Sequence, residues 1–345
     1  QAGSALAQEA CNPPHAVVLI YHHVSEKSPA STSVIPEVFQ EHLNYLADNG
    51  FRVMALPKVV EAVKNGQDLP DSVVVLTFDD GYESVYSEAF PRLKEFGWPF
   101  TVFVCPEAID QHQGPVLNWD QLREMQDDGA TVASHGLDHA FLNRSRPGED
   151  PETHTQRLES EFKSANKRLA EEGLKVEPLL AYPYGEYSPD VQALIKRLGW
   201  TAFGQQSGVV SPLSDFTCLP RFPMADEFAS LDDFGRKVSS LPMPTVDLVI
   251  VDPGIDPDDV SKTKPTLNLT LNLTCLDPDE VTAFASGQGA IDCTWVDRQK
   301  GIMEIKAPKP LPRGRSRYNV TAPVPGTRRW YWFSQSWITG TDHKH

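Results

Sequence analysis

Between His15 and Arg221 the chain alternates apolar runs of strand length with longer segments of helical period, and that alternation leaves few folds open. The runs are AVVLIY (Ala16–Tyr21), VVVLTF (Val73–Phe78), PFTVFV (Pro99–Val104), ATVAS (Ala130–Ser134), PLLAY (Pro178–Tyr182) and WTAFG (Trp200–Gly204). Val73, Val74, Val75, Leu76 and Phe78 leave no polar face, as expected of a strand covered on both sides in a parallel sheet. Between the runs lie helix-like segments. In the one from Pro36 to Gly50, Phe39, Leu43 and Leu46 share a face and Gly50 is a natural stop. Others run from Tyr86 to Gly97, Asn118 to Gly129, Thr153 to Gly173 and Ser188 to Gly199. Such β-then-α units predict an α/β fold: a parallel sheet with helices outside it, either an incomplete barrel or a doubly wound sheet.

Past Leu241 the texture changes. LPMPTVDLVIVDPGIDPDD is rich in Pro and Asp, and TLNLTLNLTC, GAIDCTWVD, GIMEIKA and RSRYNVTAPV beyond it are short and strand-like. The expected organisation is a signal-peptide remnant or flexible N-terminus (1–11), a main α/β domain (12–240), a linker (241–260) and a small all-β, sandwich-like domain (261–345).

Asp plus Glu is 47 and Lys plus Arg is 31, a formal net charge of -16. That surface repels phosphate backbones and argues against nucleic acid as a partner, while tolerating a neutral polymer or one that becomes cationic. No apolar stretch has the length of a transmembrane segment. Ala5-Leu6-Ala7 has the small-x-small form of a signal-peptidase site, which points to a secreted or periplasmic protein. If exported, Cys275 and Cys293, close together in the β region, could close a disulfide; Cys11, Cys105 and Cys218 remain.

Four polar stretches stand just past the ends of predicted strands: His22-His23, Asp79-Asp80, SHGLDH (Ser134–His139) and YPYGEY (Tyr182–Tyr187). The carboxyl edge of a parallel sheet is where active sites are built. His135 and His139, four apart on a helical turn or tight loop, plus one Asp make a common three-ligand set for a catalytic divalent metal. Adjacent side chains of a strand point opposite ways, so Asp79 and Asp80 need not share one job. The reading is that Asp80 ligates the metal and Asp79 takes a proton from the attacking water.

TFDDG, then H-x-x-x-H, then a strand ending in YPYG, resembles the polysaccharide deacetylases, the NodB-homology fold of carbohydrate esterase family four. The resemblance spans about His15 to Arg221 and implies a distorted (β/α) barrel with metal-dependent removal of N-acetyl groups from amino-sugar polymers. It implies Asp79 as general base and Asp80, His135 and His139 as ligands of a divalent metal, Zn²⁺ with Co²⁺ or Ni²⁺ as substitutes. The Tyr184 N–H would help hold the oxyanion, with Pro183, Tyr184 and Arg221 against the substrate.

The chain also departs from that pattern. Ala181 stands where the family carries an Arg that braces the base, with Arg221 in CLPRF as a substitute, and Gly136 stands where Ser or Thr is usual. No late Leu-x-His motif brings the catalytic acid; LIYHHV instead resembles the poly-β-1,6-N-acetylglucosamine deacetylase subgroup, where His22 is that acid. Competing expectations are a disabled carbohydrate-binding or matrix protein on this scaffold, and an O-acetyl polysaccharide esterase. The aromatic run Trp330–Phe333 is read as packing in the β region and its seam rather than a sugar platform, and Trp119 likewise as packing.

Overall fold

A computed structural model describes residues 11–256, 258–259 and 262–339. The expected cleavage site at Ala5–Ala7 lies outside them. The first unit is built on eight parallel strands: β1 (Val17–Tyr21), β2 (Arg52–Val53), β3 (Val73–Phe78), β4 (Thr101–Val104), β5 (Thr131–Ser134), β6 (Val176–Ala181), β7 (Thr201–Phe203) and β8 (Phe222–Pro223). Their order is β8-β1-β3-β4-β5-β6-β7, with β2 beside the start of β3. The helices fall between strands: α1 (Pro36–Asp48), α2 (Leu56–Lys64), α3 (Phe90–Phe96), α4 (Pro106–Asp110), α5 (Trp119–Asp127), α6 (Pro151–Glu171), α7 (Pro189–Leu198) and α8 (Leu231–Val238). This is the distorted, open (β/α) barrel.

Strand β3 shows why the apolar run is continuous. Val74, Leu76 and Phe78 pack into one cluster with Phe39, Leu43 and Leu46 of α1. Val73 and Val75, on the other face, join a second cluster with Phe103, Ala133, Ala181 and Phe203 from β4 to β7. By the same alternation Thr77 and Asp79 follow Val73 and Val75 toward the barrel interior.

The helix signals act as expected. Asn118 and Gln121 form a reciprocal capping box at the start of α5, and Gly97 and Gly199 close α3 and α7 in left-handed conformations. One segment differs: the helix expected from Tyr86 opens as a π-turn over Val85–Ala89, and α3 begins at Phe90. Pro91 has no N–H to return to residue 87, so the regular ladder cannot run through.

The C-terminal region is two packed sheets. Strands β9 (Leu241–Pro242), β10 (Gly254–Ile255), β12 (Thr282–Ala285), β13 (Gly289–Ile291), β16 (Gly314–Pro323) and β17 (Trp330–Thr339) form the larger, with β17 paired to β9, β10 and β16. Strands β11 (Thr266–Thr270), β14 (Cys293–Asp297) and β15 (Ile302–Lys306) form the smaller. Leu267, Leu269, Met303 and Ile305 meet Tyr318, Val320, Tyr331 and Trp337 in one core, a sandwich. The stretch 241–260, expected as a linker, thus contributes two short strands to the sheet. Trp332 packs edge-on against Phe222 of the barrel at 5.1 Å while Tyr331 enters the sandwich core, so the aromatic run builds core and seam.

The disulfide joins Cys11 to Cys275, not Cys275 to Cys293. Nearness in sequence misled: the bridge ties the start of the chain to the sandwich across 264 residues, and Cys105, Cys218 and Cys293 are free thiols. No helix among the described residues is long and apolar enough to cross a membrane.

Candidate active site and metal centre

His22, Asp79, His135 and Tyr182 are each the first residue past a strand, of β1, β3, β5 and β6 respectively. The sheet therefore delivers all four stretches to one edge. There the chain bends sharply. Asp80, His139 and Tyr184 all take left-handed backbone with φ of 70°, 62° and 60°, three of only six non-glycine residues that do so among those described. Such backbone is costly for residues with a Cβ and gathers at functional sites. Asp80 takes this bend directly after the strand, and the pair faces different partners, Asp79 meeting Arg221 and Asp80 meeting His135 and His139. Gly81 follows with φ of 64°, and a Cβ there would lie 2.8 Å from Val104 Cγ1. Only glycine fits.

The two aspartates have different surroundings. Asp79 is wholly buried, and both its oxygens accept 2.7 Å hydrogen bonds from Arg221. Arg221 also donates to Thr77 Oγ1 at 3.2 Å and to the Gly204 carbonyl at 3.0 Å. Burial pushes the Asp79 pKa up, but the charges of Arg221, His135 and His22 outweigh it and hold the group below the usual carboxylate range. Arg221 thus supplies the brace that Ala181 has no side chain to give. It has no exposed surface, so it does not reach a substrate as expected; its donors are engaged within the barrel.

Asp80, His135 and His139 converge. Both imidazole Nε2 atoms lie 3.1 Å from the same carboxylate oxygen, Asp80 Oδ1. His135 is buried and donates through Nδ1 to the Ala181 carbonyl at 2.9 Å. A carbonyl only accepts, so the proton of neutral His135 sits on Nδ1 and the Nε2 lone pair faces the carboxylate. Asp80 Oδ1 is buried with no hydrogen-bond partner. Burial alone would raise the Asp80 pKa, yet the imidazoles beside it hold it far below the usual range. Burial likewise lowers the His135 pKa, and Asp79 and Asp80 reverse that to a net rise. Neutral His135 thus turns a lone pair on a carboxylate oxygen, which calls for a cation between them, and two imidazoles with one carboxylate suit a borderline divalent metal such as zinc. The three donor atoms lie within 4.8 Å of one another, so the residues fit the group. H-x-x-x-H is carried here by a loop, not a helical turn, with Gly136 at φ of 84°.

His22 lines the cleft with Asp80, Tyr82, His139 and Tyr184. Burial lowers its pKa, with Asp79 and Asp80 opposing. His23 points elsewhere and stacks on Tyr82 with ring centroids 3.5 Å apart. Pro183 is buried beneath Tyr184, whose ring stacks on Phe141 at 4.0 Å. Trp119 packs, donating to Asp110 at 3.0 Å beneath Arg168. Three residues at the site escaped the reading of the sequence. Tyr82 stood next to a quoted motif; Arg315 and Arg317, on β16, had no local signal, yet both line this cleft.

Residues 66–203 match the polysaccharide deacetylase family. Those residues are similar to a polysaccharide deacetylase domain, and the barrel is the fold that solved deacetylases show. It is 29% identical over 184 residues to YxkH of Bacillus subtilis, covering 53% of this chain and 61% of that one. It is 24% identical over 260 residues to the poly-beta-1,6-N-acetyl-D-glucosamine N-deacetylase of Escherichia coli K12, covering 64% of this chain and 38% of that one. Among solved structures, IcaB from Ammonifex degensii matches with a TM-score of 0.55 at 25% identity, covering 66% of this chain and 97% of that one. The Streptococcus pyogenes deacetylase PplD matches with a TM-score of 0.58 at 24% identity, covering 66% and 99% respectively. The chain therefore spans less than two thirds of both sequence relatives. His22 and Arg221 both fall outside the matched stretch.

Proposed function

We propose that this chain is a metal-dependent N-deacetylase that removes acetyl groups from an amino-sugar polysaccharide, poly-N-acetylglucosamine-like or chitin-like. The observation that carries the reading is the convergence of His135, His139 and Asp80 on one point beside a buried, braced Asp79. The naming of the Escherichia coli relative supports the substrate class.

In this reading Asp80, His135 and His139 hold a divalent cation, Zn²⁺ in the first instance. Bound there, it supplies Lewis acidity that acidifies water and polarises an acetamide carbonyl. Asp79 accepts the proton of the attacking water, and Arg221 positions it. Water oxygen adds to the acetamide carbon, and the Tyr184 N–H hydrogen-bonds the developing oxyanion. Pro183 shapes the turn that presents it. His22 then protonates the amide nitrogen as the C–N bond breaks, giving acetate and a free amine. Burial favours neutral His22 at rest, so the proton it delivers is the one Asp79 takes from the attacking water, passed to His22 before the C–N bond breaks.

The domain reading follows the same line: a deacetylase unit over 12–240 and a β-sandwich unit over 261–345. The Cys11–Cys275 bridge supports a secreted or periplasmic protein, since disulfides persist in oxidising compartments.

The test is acetate release from N-acetylglucosamine oligomers by protein stripped of metal, before and after Zn²⁺ or Co²⁺ is restored. Release that returns with metal supports the reading. Metal binding without release from N-acetyl oligomers, but with release from O-acetylated xylan, would favour the esterase. Failure to bind metal overturns the site.

A further inference from the structure

The C-terminal sandwich supplies one wall of the catalytic cleft. Arg315, Ser316, Arg317, Ser336, Trp337 and Ile338 line the same cavity of about 660 Å³ as His22, Asp80, His139 and Tyr184. Arg315 and Arg317 are two apart on β16, and Ile338 and Ser336 lie directly opposite them on β17. Residues two apart on a strand share a face with their cross-strand partners. Tyr318 and Trp337 turn inward to the sandwich core, which sends the arginines outward, toward the barrel.

Neither arginine has a carboxylate within ion-pair distance among the described residues, although the chain carries 47 acidic side chains. Arg315 uses Nη1 on the Tyr184 carbonyl at 2.5 Å and Gln205 Oε1 at 3.1 Å. Arg317 has only a 3.5 Å contact from Nη1 to Ser207 Oγ. The other donors of both guanidiniums have no acceptor among the described residues. Burial, and then the charge of Arg315, lowers the Arg317 pKa, so two neighbouring cations face an open cleft at a cost. The carboxylates of the floor do not answer them: Asp79 is matched by Arg221, and Asp80 faces the proposed metal.

We propose that Arg315 and Arg317 form an oxyanion-recognition subsite, which binds a carboxylate or phosphate group carried by the polymer close to the sugar being deacetylated. The fork of a guanidinium matches either group through paired hydrogen bonds, and two forks on one strand face give a subsite wide enough for both. The contact of Arg315 with the Tyr184 carbonyl sets this subsite directly beside the reacting acetamide. The proposal rests on the deacetylase reading for its reaction, and refines the substrate from a neutral polymer to an amino-sugar polymer with a local anionic group, met by two cations on a surface whose net charge of -16 repels a densely charged polyanion.

The test compares kcat/KM for acetate release by the zinc-loaded protein on three oligomers: a neutral N-acetylglucosamine hexamer, the same hexamer O-succinylated, and the same hexamer 6-O-phosphorylated. At least one charged oligomer is expected to be preferred by about tenfold or more, as one charge-assisted hydrogen bond allows. The two charged arms separate carboxylate from phosphate. In folded Arg317→Gln the ratio of charged to neutral kcat/KM is expected to fall to within about twofold of one. Without any substitution, the preference should shrink as NaCl rises, because exposed ion contacts are screened. A wild-type ratio at or below one for both charged oligomers overturns the subsite, as does an unchanged ratio in Arg317→Gln and in the double variant with Arg315→Gln. If no oligomer releases acetate, the deacetylase reading fails instead, and titration calorimetry decides the subsite. Charged oligomers bound about tenfold tighter than the neutral one uphold it; equal affinities overturn it.

Discussion

Arg221 grips Asp79 through two parallel 2.7 Å hydrogen bonds, and neither side chain has any exposed surface. The residues are 142 apart in the chain and meet because β8 lies next to β1, which lies next to β3. The pair fixes the charge and direction of the proposed base. It also leaves the barrel interior with a buried ion pair whose two halves depend on each other.

Truncating one half should therefore be severe. Arg221→Ala leaves Asp79 buried without a partner and should lower stability by about 3–5 kcal/mol in urea unfolding. Arg221→Lys keeps the charge but not the paired grip, so kcat should fall at least about tenfold with a smaller loss of stability. Since Arg221 is the foremost influence holding the Asp79 pKa down, the acid limb of the rate profile should move to higher pH in the Lys variant. An unchanged limb would show that the grip does not set the base.

Variants of Asp79 and His135 test the proposed base and the proposed ligand separately. Asp79→Asn should keep bound metal while turnover falls by about 10²–10⁴-fold, the usual range for loss of a general base. His135→Ala should lose both metal and turnover. Metal content by atomic spectroscopy, read beside acetate release, decides; turnover retained in Asp79→Asn would remove that residue from the mechanism.

The role of His22 shows in the bond broken. An amide nitrogen leaves poorly without a proton, whereas an ester oxygen needs less help. His22→Ala should reduce acetate release from N-acetyl oligomers by about 10²-fold or more, with a smaller effect on an O-acetylated xylan oligomer. Equal losses on both would assign His22 to architecture.

Acid should weaken the fold through His42, away from the site. His42 is buried; its Nδ1 accepts from the Tyr21 hydroxyl at 3.0 Å, its Nε2 donates to the Ala229 carbonyl at 2.8 Å, and its ring stacks on Phe234. Burial lowers its pKa from 6.5 to about 4, with Lys237 adding to the fall. The unfolded chain therefore takes up a proton that the folded chain refuses. Stability from this group is complete above pH 6.5 and declines as pH drops to about 4, by about 3 kcal/mol in all. Urea unfolding across that range should show the slope in the wild type and lose most of it in His42→Gln. A parallel slope in both would exclude His42 as its source.

Much of the barrel was legible because its signals are local. The continuous apolar runs became β1, β3, β4, β5, β6 and β7, and Phe39, Leu43 and Leu46 turned to the core as their spacing predicts. The carboxyl-edge rule then brought His22, Asp80, His139 and Tyr184 to one cleft, and the convergence of Asp80, His135 and His139 follows from their places just past β3 and β5. The disulfide went astray for the opposite reason. Cys293 is near Cys275 in sequence, but the fold brings Cys11 beside it from 264 residues away.

By itself, then, the sequence determined which segments are strands and helices, and which side chains stand at strand ends. Both depend on periodicity and on neighbours a few residues away. Only the tertiary structure decided what braces Asp79, what Asp80 faces, and what walls the cleft. Arg221 lies 142 residues from its carboxylate and Arg315 131 residues from the carbonyl it holds. Contacts of that span are set by the order in which strands pair and by the docking of one sheet on another. No local pattern records either.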